Sequence, residues 1–343
     1  MSSILKEENK KSKISIIDGT RRHLLDLDDF TREEIELVSK TSDAMLEVLG
    51  RDIKKVPTLR GKVIVTLFYE ASTRTRVSFE EAGKLLSADV INVSSSGSSV
   101  EKGESLLNTV RTIQATGADM VVVRHNHSGA PYFMARNLES MGVINGGDGW
   151  HAHPTQALLD VYTMRQHLGP LDGRKIVIVG DILHSRVARS NLWALTTEGA
   201  NVVLCAPPTL IPQEFLSRER LPEGHPFSHV EIETNVNIAL DGADVVMPLR
   251  LQLERQESGL LPTLREYSRM YGITRERLDL ASKDALLLHP GPMNEGVEVS
   301  PDVAHGSQSL IEEQVRNGVA VRMALLYLLV GTTKKEEVRA ESQ

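Results

Sequence analysis

The residues best suited to chemistry lie in Ser72-Thr73-Arg74-Thr75-Arg76. Just before them, Val63–Phe68 is apolar and rich in β-branched residues, the pattern of a buried strand. Just after them, Phe79, Ala82, Leu85 and Leu86 recur at helical spacing. The segment therefore reads as a strand, a hydroxyl-rich turn and a helix start. Ser72 or Thr73 can serve as N-cap, and the free N–H groups of the first turn carry the positive end of the helix dipole. Arg74 and Arg76 add two guanidinium groups. Such a helix N-terminus is suited to a phosphate-like dianion. A single Ser-Thr pair more often merely caps its helix, but two arginines after a buried strand favour the anion site.

Further polar residues stand at the exits of other apolar runs. Arg124 follows Met120–Val123, and Arg186 follows the strand-like Lys175–Gly180. Arg250 and Gln252 follow Val245–Met247, and Leu286–Leu288 runs into His289-Pro290-Gly291-Pro292. His153 opens a helical pattern through Ala157–Met164, with Gln156 one turn along on the same face. Singly, each arginine is more often a surface charge. Jointly, they point to a site for a polyanionic small molecule.

The elements that must position these groups alternate. Strand patterns recur at Val63–Phe68, Val90–Val93, Met120–Val123 and Val143–Asn145, then at Lys175–Gly180, Val202–Ala206, Val245–Met247 and Leu286–Leu288, with helical patterns between them. That is the signature of an α/β chain with parallel sheets flanked by helices. Two series over 343 residues predict two domains, and ligands in such sheets sit beyond the carboxyl ends of the strands. Asp29–Leu49 reads as a helix opened by Thr31, and Val319–Val330 as a buried last helix. Pro207–His229 reads as a surface excursion and residues 1–17 and 334–343 as loose ends. The Ser- and Gly-rich stretch from Asn92 to Gly103 reads as a loop able to close over a substrate.

Other chemistries are poorly supported. There is no Walker A pattern, and Gly180-Asp181 lacks the further glycines of a dinucleotide fingerprint. His125/His127 and His151/His153 are His-x-His pairs without a third ligand cluster, so no metal and no cofactor is expected. Asp148, in Gly146-Gly147-Asp148-Gly149, reads as a turn residue. With 39 basic against 46 acidic residues, net −7, general nucleic-acid binding is not expected. The lone Cys205 lies in a strand pattern, as a packed thiol. Met1–Lys13 lacks the apolar core of a signal peptide, and Met323–Val330 is too short to span a bilayer. A cytoplasmic protein without membrane contact is expected.

Four motifs carry a resemblance. Ser72–Arg76, Arg124-His125, His153-Pro154-Thr155-Gln156 and His289-Pro290-Gly291-Pro292-Met293-Asn294 are similar to those of the transcarbamoylase family, over about Thr31 to Val330. Within it, Arg250-Leu251-Gln252 and the H-P-G-P turn resemble the aspartate carbamoyltransferases, whereas the ornithine enzymes carry H-C-L-P. The resemblance implies carbamoyl transfer from carbamoyl phosphate to L-aspartate in pyrimidine synthesis. It implies that Ser72, Thr73, Arg74 and Thr75 hold the phosphate, and that Thr75, Arg124 and His153 polarise the carbamoyl oxygen. Gln156, Gly291 and Pro292 would bind the carbamoyl amide, and Arg186, Arg250 and Gln252 the carboxylates of aspartate. Ser98 and Lys102 would reach into a neighbouring subunit's site, implying a homotrimer with shared active sites. Regulatory chains or a dihydroorotase are conceivable partners.

The implied layout is a carbamoyl-phosphate domain over 18–153, an aspartate domain over 154–307, and a C-terminal helix at 308–333 returning to the first domain. An ornithine-type transferase or a catalytically silent scaffold subunit are the alternatives. This chain departs from similar aspartate enzymes at Glu295, where they carry Arg, and at Leu183-His184-Ser185, where some carry a Lys. Glu295 is expected to point away from the anion site and pair with a nearby arginine.

Overall fold

The computed structural model describes residues 14–94, 105–216, 225–252 and 263–330. The N-terminal half runs α1 (Arg32–Leu49), β1 (Val63–Phe68), α2 (Thr73–Leu85), β2 (Asp89–Ser94), α3 (Leu106–Ala115), β3 (Met120–His125), α4 (Ala130–Arg136), β4 (Gly142–Asp148) and α5 (Pro154–Leu168). The second half runs β5 (Lys175–Val179), α6 (Arg186–Thr197), β6 (Asn201–Cys205), α7 (Gln213–Leu216), β7 (Glu231–Glu233), α8 (Val236–Leu240), β8 (Val245–Pro248), α9 (Leu264–Tyr271), α10 (Arg275–Leu278), β9 (Leu286–Leu287), α11 (Pro301–Ala304) and α12 (Ile311–Val330).

The strands form two parallel sheets, ordered β2-β1-β3-β4 and β7-β6-β5-β8-β9. In each, the first strand in sequence is central and its neighbours are added outward. The two-residue side-chain period divides the first sheet into two faces. Ile64, Phe68, Met120 and Val122 face the large core shared with α1, α2, α5 and α12, whereas Val65, Leu67, Val121 and Val123 face a second cluster with α3 and α4. The last helix, α12, packs on α1 and α2 and also on α5.

Several expectations change at element ends. β3 runs two residues beyond Val123, so Arg124 and His125 belong to the strand. β4 continues to Asp148, which is a fully buried strand residue instead of a turn residue. Asp148 accepts hydrogen bonds from the Gly129 N–H at 2.7 Å and the Ala152 N–H at 3.0 Å, so its carboxylate organises the strand exit. α12 starts eight residues before Val319, because buried Gln314 and Asn317 interrupt the apolar pattern.

Residues 14–17 are not a loose end. Ile16 is buried, and its N–H donates to Glu34 at 2.8 Å. The stretch after Pro207 is likewise partly packed, since Leu210, Ile211 and Phe215 are buried. The three-residue β7 was not foreseen. Residues 95–104, where a closing loop is expected, lie outside the described residues, as do residues 1–13, 217–224, 253–262 and 331–343.

Candidate active site

A cleft of about 850 Å³ opens at the carboxyl ends of both sheets. One wall is the start of α2. Ser72 is its N-cap residue, with its side chain making no cap hydrogen bond, so the hydroxyl is not spent on the helix. Ser72, Thr73, Arg74 and Thr75 all line the cleft. Arg76 does not, because the helical turn carries it away to an exposed position. The anion site thus has one local guanidinium where the sequence suggested two.

The floor comes from β3 and α5. Period two places Arg124 on the same face of β3 as Met120 and Val122, and its Nη1 donates to the Gly146 carbonyl at 3.1 Å. The same nitrogen lies 3.5 Å from His153 Nε2. His153 is the N-cap residue of α5 and 4% exposed, held through its backbone N–H to Ser190 Oγ at 2.9 Å. Burial, with Arg124, Arg186 and Arg322 around it, keeps its imidazole well below its ordinary pKa. A neutral ring of this kind donates or accepts a hydrogen bond but does not act as an acid. Gln156, one turn on, also lines the cleft.

The far wall is built by the second sheet. Arg186 opens α6, Arg250 and Gln252 follow β8, and Arg250 Nη2 donates to Gln252 Oε1 at 3.2 Å. His289-Pro290-Gly291-Pro292 follows β9, and all four residues line the cleft. Gly291 has φ +62°, and a Cβ there would stand 2.9 Å from Arg74 Cζ, so the turn backbone lies directly against the phosphate-wall guanidinium. Gly147 does the same on the floor. With φ +117°, it would place a Cβ 3.0 Å from Arg186 Cζ and 3.1 Å from Arg124 Nη1.

Three features escaped the sequence reading. Glu70, two residues before the helix cap, holds Arg186 in a bidentate pair at 2.9 Å and 2.9 Å and reaches Arg124 at 3.1 Å. Its carboxylate therefore spans cations delivered by both sheets. Arg322 of α12 lines the cleft and stacks over Phe79 at 5.2 Å, with burial lowering its pKa to about 10. Asp160, fully buried one turn beyond Gln156, is hydrogen-bonded to it. No motif marks these residues; only Glu70's adjacency to the anion turn was a signal.

Of the expected site residues, Ser72, Thr73, Arg74, Thr75, Arg124, His153, Gln156, Arg186, Arg250, Gln252, Gly291 and Pro292 share this cleft. Ser98 and Lys102 lie outside the described residues. The histidine pairs are otherwise engaged. His125 Nδ1 accepts the His127 N–H at 2.9 Å, and His151 lies between Asp148 and Asp26 at 3.3 Å and 3.6 Å. Among the described residues no group of three or more His, Cys, Asp or Glu is placed to hold a metal ion. Glu295 is absent from the cleft lining, and its partner is His305 at 3.3 Å instead of an arginine. The short chain path from Glu295 to Val299 and on to α11 brings that histidine within reach.

Two family models cover nearly all of this architecture. The carbamoyl-P binding domain of aspartate/ornithine carbamoyltransferase matches residues 22–166, and its Asp/Orn binding domain matches residues 172–329. The chain belongs to the aspartate/ornithine carbamoyltransferase family. It is a carbamoyltransferase. It is 62% identical to the aspartate carbamoyltransferase catalytic subunit of Roseiflexus sp. (strain RS-1), over 91% of this chain and 96% of the relative. With the same subunit from Dehalococcoides mccartyi (strain CBDB1) it shares 56% identity, covering 93% and 95%.

Solved carbamoyltransferases share the fold. Aspartate transcarbamoylase from Trypanosoma cruzi in complex with carbamoyl phosphate superposes with a TM-score of 0.81 at 28% identity, covering 92% of this chain and 99% of that one. Ornithine carbamoyltransferase from Pyrococcus furiosus gives 0.78 at 28% identity, covering 90% and 97%. No described helix is long and apolar enough to cross a membrane.

Proposed function

We propose that this carbamoyltransferase joins the carbamoyl group of carbamoyl phosphate to the amino group of L-aspartate, releasing N-carbamoyl-L-aspartate and phosphate in pyrimidine synthesis. The observation that carries this reading is the cleft itself, where Arg250 and Gln252 face the Ser72–Thr75 helix start. One wall suits a phosphate; the other suits a dicarboxylate and would repel the cationic side chain of ornithine. The named relatives support the same choice.

The chemistry follows from charge. The amine nitrogen attacks the carbamoyl carbon and the carbonyl oxygen takes up negative charge. The bond to the phosphate oxygen then breaks, and the amine proton passes to the leaving phosphate. Thr75, Arg124 and neutral His153 are the donors for the carbonyl oxygen, and fixed donors of this kind lower the barrier without a covalent intermediate. Ser72, Thr73, Arg74 and Thr75 take the phosphate charge. Gln156, with the backbone at Gly291 and Pro292, accepts from the carbamoyl NH2. Arg186, Arg250 and Gln252 hold aspartate, with Glu70 leaving Arg186 as a substrate carboxylate arrives. Holding both anionic substrates together adds an orientation term.

In this reading the working unit is a cytoplasmic homotrimer in which Ser98 and Lys102 complete a neighbour's site. The carbamoyl-phosphate part is 18–153 and the aspartate part 154–307, with 308–333 returning to the first. Regulatory chains or a dihydroorotase would dock outside the cleft. The test is carbamoyl transfer by the purified chain with L-aspartate or L-ornithine, with and without chelator. Turnover with aspartate alone, unaffected by chelator, is expected. Turnover with ornithine alone, or silence with both, would overturn the assignment. For the trimer, mixing inactive Lys102→Ala and Arg124→Ala chains should restore activity, and a mixture that stays silent would argue for self-contained sites.

A further inference from the structure

Asp160 is a fully buried carboxylate on which three helices converge through side-chain amides. Gln156 of α5 donates its Nε2 to Oδ1 at 2.9 Å, and Gln314 of α12 donates its Nε2 to the same oxygen at 2.8 Å. Asn191 of α6 donates its Nδ2 to Oδ2 at 2.9 Å. Gln314 in turn accepts the backbone N–H of His289 on its Oε1 at 2.8 Å. Within the turn, the Gly291 N–H donates to His289 Nδ1 at 2.9 Å.

An amide has one donor end and one acceptor end, so these partners fix which end faces where. A backbone N–H can only donate, which settles Gln314: its oxygen faces His289 and its NH2 faces Asp160. An ionised carboxylate can only accept, which settles Gln156 in the same way. The NH2 end of Gln156 faces Asp160, to which it gives one N–H, and its Oε1 is left as the end available to the cleft. A pocket wall that offers acceptors and no donor at this point selects for a ligand with N–H groups.

We propose that Asp160 is the positioning residue that makes the site selective for a carbamoyl group over an acyl group without N–H. It turns the Gln156 oxygen toward the ligand's amide and, through Gln314, sets the height of the His289–Pro292 turn whose backbone supplies the other acceptors. The inference rests on the carbamoyl phosphate reading of the cleft. Asp160 itself touches no substrate.

The test compares carbamoyl phosphate with acetyl phosphate, which keeps the phosphate and replaces NH2 by a methyl group. Dissociation constants are measured without aspartate, for the wild type and for Asp160→Leu, which keeps the side-chain volume but accepts no hydrogen bond. Carbamoyl phosphate should weaken about tenfold or more, the worth of one misplaced buried hydrogen bond. Acetyl phosphate should change by less than about twofold, since its contacts avoid the amide pocket. Equal weakening of both ligands, or of neither, would overturn the proposal, because a merely structural role does not alter their ratio.

If Asp160→Leu does not fold, Gln314→Met replaces it. That variant keeps the Gln156 contact and releases only the turn, so carbamoyl phosphate alone should weaken, by about threefold. Equal loss for both ligands again decides against the idea. Failure of the wild type to bind carbamoyl phosphate would sink the reading of the cleft, whereas binding with an unaltered ratio in the variants would sink this inference alone.

Discussion

At the residue scale, the site is a set of cations held apart by backbone and carboxylate spacers. Gly291→Ala is expected to lower kcat/KM by about tenfold or more, because a Cβ 2.9 Å from Arg74 Cζ must displace the guanidinium and φ +62° strains alanine. Thermal stability should change little by comparison, and a variant with wild-type kinetics would refute the contact. His153→Ala should cost about 10²-fold in kcat with a smaller change in the Michaelis constants, as expected for a donor that acts on developing charge. The cations were legible in the sequence because each follows an apolar run with strand character. Glu70 and Asp160 were not. A lone carboxylate in a turn or helix carries no periodic signal, and its importance arises only when Arg124 and Arg186, or Gln156 and Gln314, are folded onto it.

At the element scale, the first helix is anchored by one side chain. Glu34 is 1% exposed and closes the capping box with Thr31, accepting the Thr31 N–H at 2.9 Å. It also takes the Ile16 N–H at 2.8 Å and Arg21 Nε at 3.3 Å. Thr31→Ala should therefore cost about 1 kcal/mol, and Glu34→Ala about 3 kcal/mol, because it strips partners from buried donors. Urea denaturation would show the ranking, and equal losses would contradict it. His23 gives this region a pH response. Its Nδ1 accepts the Val143 N–H at 3.1 Å, and burial followed by Arg22 lowers its pKa from 6.5 to about 4.

The folded chain therefore prefers the neutral ring. This contribution is complete above pH 6.5 and is lost as pH falls toward 4, by up to ~3 kcal/mol. His23→Asn should flatten that part of the acid limb in a comparison of urea midpoints, and parallel curves would exclude the role. Strand identities were legible here from β-branched runs. Strand ends were not, since polar His125 and Asp148 break the apolar pattern although the β3–β4 pairing buries both.

At the scale of the whole molecule, α5 and α12 tie the two sheets into a shared core, while the cleft takes lining from both. A ligand that joins a phosphonate to a dicarboxylate should bridge the walls and stabilise the chain as a unit. At about 100 times its Kd the gain should be ~2.7 kcal/mol. Calorimetry should then show one transition moving upward; a shift confined to one of two transitions would mean the walls bind separately. The α/β class and the two sheets were legible because alternating patterns repeat along most of the chain. The early start of α12 was hidden by Gln314 and Asn317, polar residues that serve partners from α5 and the His289 turn.

Where β3 meets β4, Val123 pairs with Asn145, but His125 pairs with Asp148. Two glycines, Gly146 and Gly147, thus stand opposite the single residue Arg124. The spacing ties function to the number of links in the chain as well as to their kind. Removing Gly147 would even the ladder, set Gly146 alone opposite Arg124, and shorten the tether that leads to His153. Substitutions nearby can be absorbed one side chain at a time. An insertion or deletion at this place moves several active groups together, so lineages of this enzyme should vary in length almost anywhere else first.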